Sequence, residues 1–186
     1  YNAGGARYTN TFIQAVGIGT IADSLAAIQK LVFTDLALPL PELVAALDAD
    51  FAGQEPLRQR LWTKMPKYGN DDDAADDCMV RVFDAAFRAI DGRPSARGGV
   101  HRLEMLPTTS HVYFGSVCGA TPDGRRAGTP LSEGISPVQG ADRRGPTAVL
   151  RSAAKMDHIK TGGTLLNMKL TPTVLEGEAG IARVAQ

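Results

Sequence analysis

GSVCGATPDGRRAGTPLSEGISPVQG, residues Gly115–Gly140, is the stretch on which the reading of this chain turns. It holds six glycines, three prolines and one of the chain's two cysteines. Connections this long without secondary structure are either functional or disordered. Leu131, Ile135 and Val138 give this one side chains that can pack, so an ordered loop is expected. Within it, TPDGRR (Thr121–Arg126) carries turn chemistry: Pro122 presets φ, Asp123 can bond nearby backbone and Gly124 can take a positive φ. A phosphate cradle would need a Walker or dinucleotide-binding pattern beside it, and neither is present, so the structural turn is the preferred reading. Cys118 invites a nucleophilic reading. A reactive thiolate needs a basic or electropositive neighbourhood. Arg125, Arg126 and His111 are near in sequence, yet no spacing rule brings them to the sulfur. The residues favour a small buried thiol.

Downstream, Pro146 is expected to start a short helix reaching about Met156, and TLLNMKL (Thr164–Leu170) reads as a strand. Pro172 opens a last helix that runs to Gln186 without a stop signal, as in a chain cut from a longer one. Upstream, His101–Thr109 reads as a strand whose pairing Pro107 restricts. Before it the pattern is helical. From about Asn10 to Phe33, Ile18, Ile21, Leu25, Ile28 and Val32 recur at three- and four-residue steps, one helical stripe. A second helix is expected from Pro41 to about Phe51, stopping at Gly53, and a third over Glu55–Lys64 with Leu57, Leu61 and Met65 on one side. Asn70 or Asp71 is expected to cap a fourth, with Met79, Phe83, Phe87 and Ile90 on its buried face, closed by Gly92 and Pro94. Tyr1–Tyr8 reads as irregular.

The bulk composition narrows the function classes. Apolar residues make up 44% of 186, enough for a core. Lysine plus arginine equals aspartate plus glutamate, and no basic block stands out, which argues against a nucleic-acid footprint. The longest apolar run, Val16–Phe33, is broken by Asp23, Ser24, Gln29 and Lys30, too polar for a membrane span. Cys78 and Cys118 show no zinc spacing, and two reduced thiols are expected. NDDDAADD lacks the glycine and distal glutamate of a calcium loop and reads as a capped, solvated helix start. His101, His111 and His158 form no metalloprotease spacing, and no nucleophile elbow is present. On residue chemistry alone the chain is a soluble α/β piece with a large ordered loop.

Several segments taken together, in order, carry more. YNAGGARY, VGIGTIADSLAAI with KLVF, KYGNDDD, MLPTTSHVYFG, GATPDGRRAGTPLSEGISPVQGADRRGPTAVL, SAAKMDH and GGTLLN resemble the glycyl radical enzymes of the pyruvate formate-lyase type across essentially the whole chain. YNAGGARY, LPTT, KMDHI and TPTVLEGEAGI look most like the trans-4-hydroxy-L-proline dehydratase branch. Glycerol and propanediol dehydratases are the next match, and pyruvate formate-lyase itself is more distant. The resemblance implies an α/β fold: part of a ten-stranded β/α barrel, here a mostly helical piece with a few barrel strands and a long Gly/Pro-rich loop. Residues 1–186 would form a single, partial catalytic domain. Two loops meet inside such a barrel, one with a Gly-Cys-Val-Glu motif and one with a radical glycine in Arg-Val-Xaa-Gly-Tyr. Neither is in this sequence. Cys118 is followed by Gly119 and does not match the cysteine loop, and ARVAQ mimics the glycine loop only over Arg183–Ala185. The chain is therefore expected to be an internal piece, inactive and poorly soluble alone, and Cys118 a bystander.

The resemblance further implies the chemistry of the whole enzyme. A partner activating enzyme using S-adenosylmethionine and an iron–sulfur cluster makes the glycyl radical, the protein-derived cofactor that lies outside this piece. No metal or organic cofactor is expected here. A thiyl then takes hydrogen from the carbon beside the hydroxyl-bearing one, and loss of water turns hydroxyproline into a pyrroline-5-carboxylate. Other glycyl radical lyases are the alternative: diol dehydratases, C–N or C–S lyases and formate C-acetyltransferase. So is a non-catalytic remnant of the fold. A small-molecule substrate, a homodimer and a cytoplasmic setting are implied, with no nucleic-acid or membrane partner. Met105–Thr109 would enter the barrel. By two-residue alternation Leu106 and Thr108 share a side, and both are expected to line the substrate pocket, with Pro107 pointing away. Arg125 is expected to fix the Gly/Pro loop through carboxylates, and GGTLLN to form part of the wall.

Overall fold

The computed structural model describes residues 7, 10–96, 98–170 and 172–185; the expectations for Tyr1–Tyr8, apart from Arg7, and for Gln186 lie outside them. Among the described residues two strands, Thr11–Gln14 (β1) and His101–Glu104 (β2), run parallel, pairing Thr11 with His101 through to Gln14 with Glu104. Parallel neighbours need a long crossover. Here it carries four α-helices: Ile18–Ile28 (α1), Leu40–Asp48 (α2), Glu55–Lys64 (α3) and Asp73–Ile90 (α4). After β2 come Ser110–Val117 (α5), Pro146–Ala154 (α6) and Gly177–Ala185 (α7). The result is the expected α/β piece: mostly helical, with a small sheet that does not close.

The helix expected from Asn10 begins only at Ile18, because Thr11–Gln14 is drawn into pairing with a strand some ninety residues away. It continues past Ile28 as a π-helical segment, Gln29–Thr34. The buried face also differs from the expected stripe. Ile21 and Leu25 are exposed, whereas Ile18, Ala22, Asp23, Ala26 and Ala27 face inward. These small side chains let α1 lie directly against α4. α2 stops at Asp48, short of Phe51; Asp50 and Phe51 take positive φ, and Phe51 turns inward as its N–H donates to Ala46 O at 2.7 Å. Pro56, in the first turn, and Pro66, just beyond the end, bracket α3 where the sequence placed it.

The cap of α4 is Asp72, whose carboxylate accepts from Ala74 N at 3.1 Å, and not Asn70 or Asp71. Asn70 Oδ1 instead accepts from the N–H groups of Arg143 and Arg144 and ties the helix entry to the segment before α6.

Among the described residues two apolar clusters hold the fold. One gathers Ile18, Ala22, Tyr68, Met79, Phe83, Leu103, Met105, Ile135 and Met156 between α1, α4 and β2. The other gathers Leu31, Leu43, Phe51, Leu61 and Met65 between α1, α2 and α3. α5, which no local helical pattern announces, carries an exposed apolar surface of Val112, Tyr113, Phe114 and Val117.

Candidate functional site

The expected strand His101–Thr109 ends at Glu104, with Met105 making one further bridge to Thr164. Pro107 has no N–H to give a neighbour, so the ladder stops before it. Thr164–Leu170 likewise forms only that bridge; its glycine lead-in makes the closer contacts. Gly162 N donates to Leu103 O, Met105 N to Gly163 O and Leu165 N to Met105 O, each at 2.8–2.9 Å, so this segment runs alongside the end of β2.

Alternation on β2 gives the sheet two faces. Leu103 and Met105 are fully buried in the core. Glu104 and Leu106 lie on the opposite, open face; Gln14 Nε2 donates to Glu104 Oε2 at 3.2 Å across the strand pair. Leu106 is half-buried, Pro107 buried and Thr108 exposed, so Leu106 and Thr108 differ from Pro107 in burial. Gly163 allows the approach: a Cβ there would stand 3.0 Å from Leu106 Cδ2.

The Gly/Pro loop is ordered by its own polar groups. In the TPDGRR turn, Asp123 Oδ1 accepts from Thr121 Oγ1 at 2.5 Å and Arg125 N at 3.2 Å, and Gly124 has φ 93°. The Arg125 guanidinium does not seek carboxylates as expected. It donates to the backbone oxygens of Cys118, Gly119, Arg126 and Thr129, and to Thr121 Oγ1. One buried cation thus gathers both limbs of the loop. Lys67 Nζ adds a bond to Asp123 O at 2.6 Å, and Ser132 exchanges two 3.0 Å hydrogen bonds with Thr20 at the start of α1. Ile135 N donates to Leu165 O, so the loop closes against the same Gly162–Leu165 segment that flanks β2. Ile135 and Val138 are buried and Leu131 half-buried, as the packing expectation required. Gly115 has no room for a side chain: a Cβ there would lie 2.4 Å from Thr129 O.

Cys118 is half-buried and unbridged, a free thiol like Cys78, and its backbone oxygen is what Arg125 engages. His101, His111 and His158 stand on separate elements, on β2, on α5 and after α6. Among the described residues no group of three or more His, Cys, Asp or Glu side chains is placed to hold a metal, and no helix is long and apolar enough to cross a membrane.

The sequence reading missed a buried set of charges. Asp23, taken as an interruption of an apolar run, is fully buried on the inner face of α1 and accepts from Tyr68 N at 2.7 Å. Burial pushes its carboxyl up to about 8, against the opposing pull of the Lys67 charge. Burial also raises Asp123 and lowers Lys67. A second buried carboxylate, Asp76, takes hydrogen bonds from Ser152 Oγ at 2.9 Å and Lys155 Nζ at 2.7 Å, joining the start of α4 to the end of α6. NDDDAADD is therefore only partly the solvated helix start that was expected. For Asp23 the local signal was a charged residue on an otherwise apolar helical face.

Comparison with known proteins matches two family models: pyruvate formate lyase-like over residues 1–115, and glycine radical over residues 131–186. The chain is 53% identical over 185 residues to trans-4-hydroxy-L-proline dehydratase of Clostridioides difficile, covering all of this chain and 23% of that protein. It is 41% identical over 179 residues to isethionate sulfite-lyase of Bilophila wadsworthia, covering 94% of this chain and 21% of that one. The crystal structure of the C. difficile hydroxyproline dehydratase with trans-4-hydroxy-L-proline bound superposes with a TM-score of 0.93 over 100% of this chain and 23% of that one. The B12-independent glycerol dehydratase of Clostridium butyricum, glycerol bound, gives 0.90 at 38% identity over 98% of this chain and 23% of that one. The chain thus spans about a quarter of the length of these relatives.

Proposed function

The chain belongs to the pyruvate formate lyase-like family of glycyl radical enzymes, and on that premise we propose that the whole protein is a lyase removing water from trans-4-hydroxy-L-proline to give a pyrroline-5-carboxylate. The reading rests on one observation: identity to hydroxyproline dehydratase is 53%, against 41% to a C–S lyase of the same family over nearly the same residues. Residues 1–186 are one part of a single catalytic barrel domain. A glycyl radical outside this stretch, installed by an S-adenosylmethionine-dependent activating enzyme, supplies the hydrogen-atom chemistry. The protein acts as a homodimer in the cytoplasm.

This stretch supplies wall and order. Leu106, half-buried on the open face, lies against the substrate ring; Thr108, exposed beside it, offers a hydroxyl for a hydrogen bond. The Gly/Pro loop and Gly162–Leu165 hold that face in register and keep water away from the reacting atoms, the part a protein plays when a cofactor does the hard step. Cys118 takes no part.

The test is anaerobic turnover by the intact protein after activation, with the radical followed by electron paramagnetic resonance. Hydroxyproline should be consumed with pyrroline-5-carboxylate formed. A radical-bearing protein that ignores hydroxyproline and cleaves isethionate or a diol would replace this reading with the second one, that of a sibling lyase such as the one 41% identical over 179 residues.

A further inference from the structure

We propose that Phe12 is a further wall of the substrate chamber, one that sets its depth, and that Gly162 is the seat holding it in place. The inference rests on the chamber reading above and adds residues that the sequence pattern did not point to. Phe12 pairs in register with Arg102 on the face opposite Leu103 and Met105. Its side chain leans across β2 toward the third segment: a Cβ on Gly162 would fall 2.1 Å from Phe12 Cε1 and 2.8 Å from Cδ1. At so short an approach something must shift, so glycine at 162 is what lets the ring lie where it does. Its neighbour Gly163 seats Leu106 in the same way, and Glu104 Oε1 comes within 4.0 Å of that second position. Two parallel segments thus send an aromatic ring, a carboxylate held by Gln14 and an aliphatic side chain onto a pair of glycines in the third. Arg102, the other long side chain near Phe12, is drawn aside by Asp91 at 3.0 Å and leaves the ring uncovered. Phe12 is 44% exposed on this open face, so it is presented to whatever occupies the space in front of Leu106.

An aromatic wall next to a polar pair and a leucine suits a compact hydroxylated molecule with an apolar side, the size of a five-membered ring or a short polyol. Binding to the intact, non-activated protein tests the claim without needing the radical. Calorimetric Kd values would be taken for hydroxyproline, glycerol, propane-1,2-diol and isethionate with the wild type, Phe12→Ala, Phe12→Leu, Gly162→Ala and the Phe12→Ala/Gly162→Ala double variant. Phe12→Ala should weaken the preferred ligand about tenfold, Phe12→Leu should recover part of this, and Gly162→Ala should weaken it by displacing the ring. Because both act through one contact, the double variant should bind within about threefold of Phe12→Ala alone. Single-variant losses that multiply in the double variant, or a Phe12→Ala protein binding within twofold of wild type, would overturn the proposal. An unchanged Tm separates these effects from misfolding. A wild type that prefers a ligand other than hydroxyproline sinks the substrate reading alone, and the wall is then scored on that ligand. Binding of none sinks both.

Discussion

Arg125 offers the sharpest perturbation of the loop that backs the open face. Its guanidinium serves four backbone oxygens and the Thr121 hydroxyl, and it is only 5% exposed. In Arg125→Lys the charge survives but the planar fork is lost, and a shorter ammonium reaches about two of those acceptors. The remaining two or three buried acceptors go unserved, each costing about 1–1.5 kcal/mol, so local opening of the loop should become easier by about 3 kcal/mol. That corresponds to roughly 100-fold faster amide exchange in the loop, at about 1.4 kcal/mol per factor of ten. The informative amides are Thr121, which donates to Arg125 O, Gly124, which donates to Thr121 O, and Gly128, which donates to Cys118 O. Hydrogen exchange of the intact protein, read by mass spectrometry on peptides spanning Cys118–Gly140, measures this directly. The α4 peptides, which share none of these bonds, should stay unchanged. A loop whose exchange rises less than about fivefold would refute the argument that one buried cation orders it.

Two other buried charges make separable predictions. Asp23, with its carboxyl raised to about 8 in the fold, holds a proton that the unfolded chain has released between pH 4 and 8. The folded state therefore binds more protons there, and Asp23's contribution falls as pH rises toward 8, by at most about 1.4 kcal/mol per unit. Asp123, shifted the same way, adds to the slope. Asp23→Asn keeps an acceptor for Tyr68 N and should flatten the decline in thermal half-life between pH 5 and 8; an unaltered slope would exclude Asp23 as its source. Lys155→Met leaves Asp76 buried with no cation beside it, served by Ser152 and the Gly69 backbone, and should cost about 2–3 kcal/mol, less than a fully dry pair because Lys155 is partly solvated. Lys155→Arg should restore most of that loss in denaturant titration, and an equal loss in both variants would show that charge is not what Asp76 needs.

What the sequence yielded follows the range of each interaction. α3 was legible because prolines mark both its ends, and α4 because Met79 and Phe83 repeat at helical spacing. β1 was hidden inside a helical pattern, since its partner is a distant strand and pairing leaves no local trace. α5 was missed because SHVYFGSV combines β-branched and aromatic residues with no side-chain cap and turns its large apolar groups outward. At the candidate site, Leu106 and Thr108 came from a motif and an alternation rule, both short-range. Phe12 and the Asp23–Lys67–Asp123 charges came only with the fold, because each is defined by partners tens of residues away. Glycines showed the same limit in part: close approach is expected of glycines in the Gly/Pro loop and GGTLLN, but which partners Gly115 and Gly162 meet, Thr129 and Phe12, came only with the fold.

The central claim is that this stretch builds the chamber's wall and holds neither reactive centre. Paired turnover of Cys118→Ala and Leu106→Ala in the intact, radical-bearing protein tests it most directly. The account predicts that Cys118→Ala keeps kcat/KM within twofold of wild type while Leu106→Ala loses about tenfold or more. Abolished turnover in Cys118→Ala with its radical signal intact, alongside an unaffected Leu106→Ala, would contradict it.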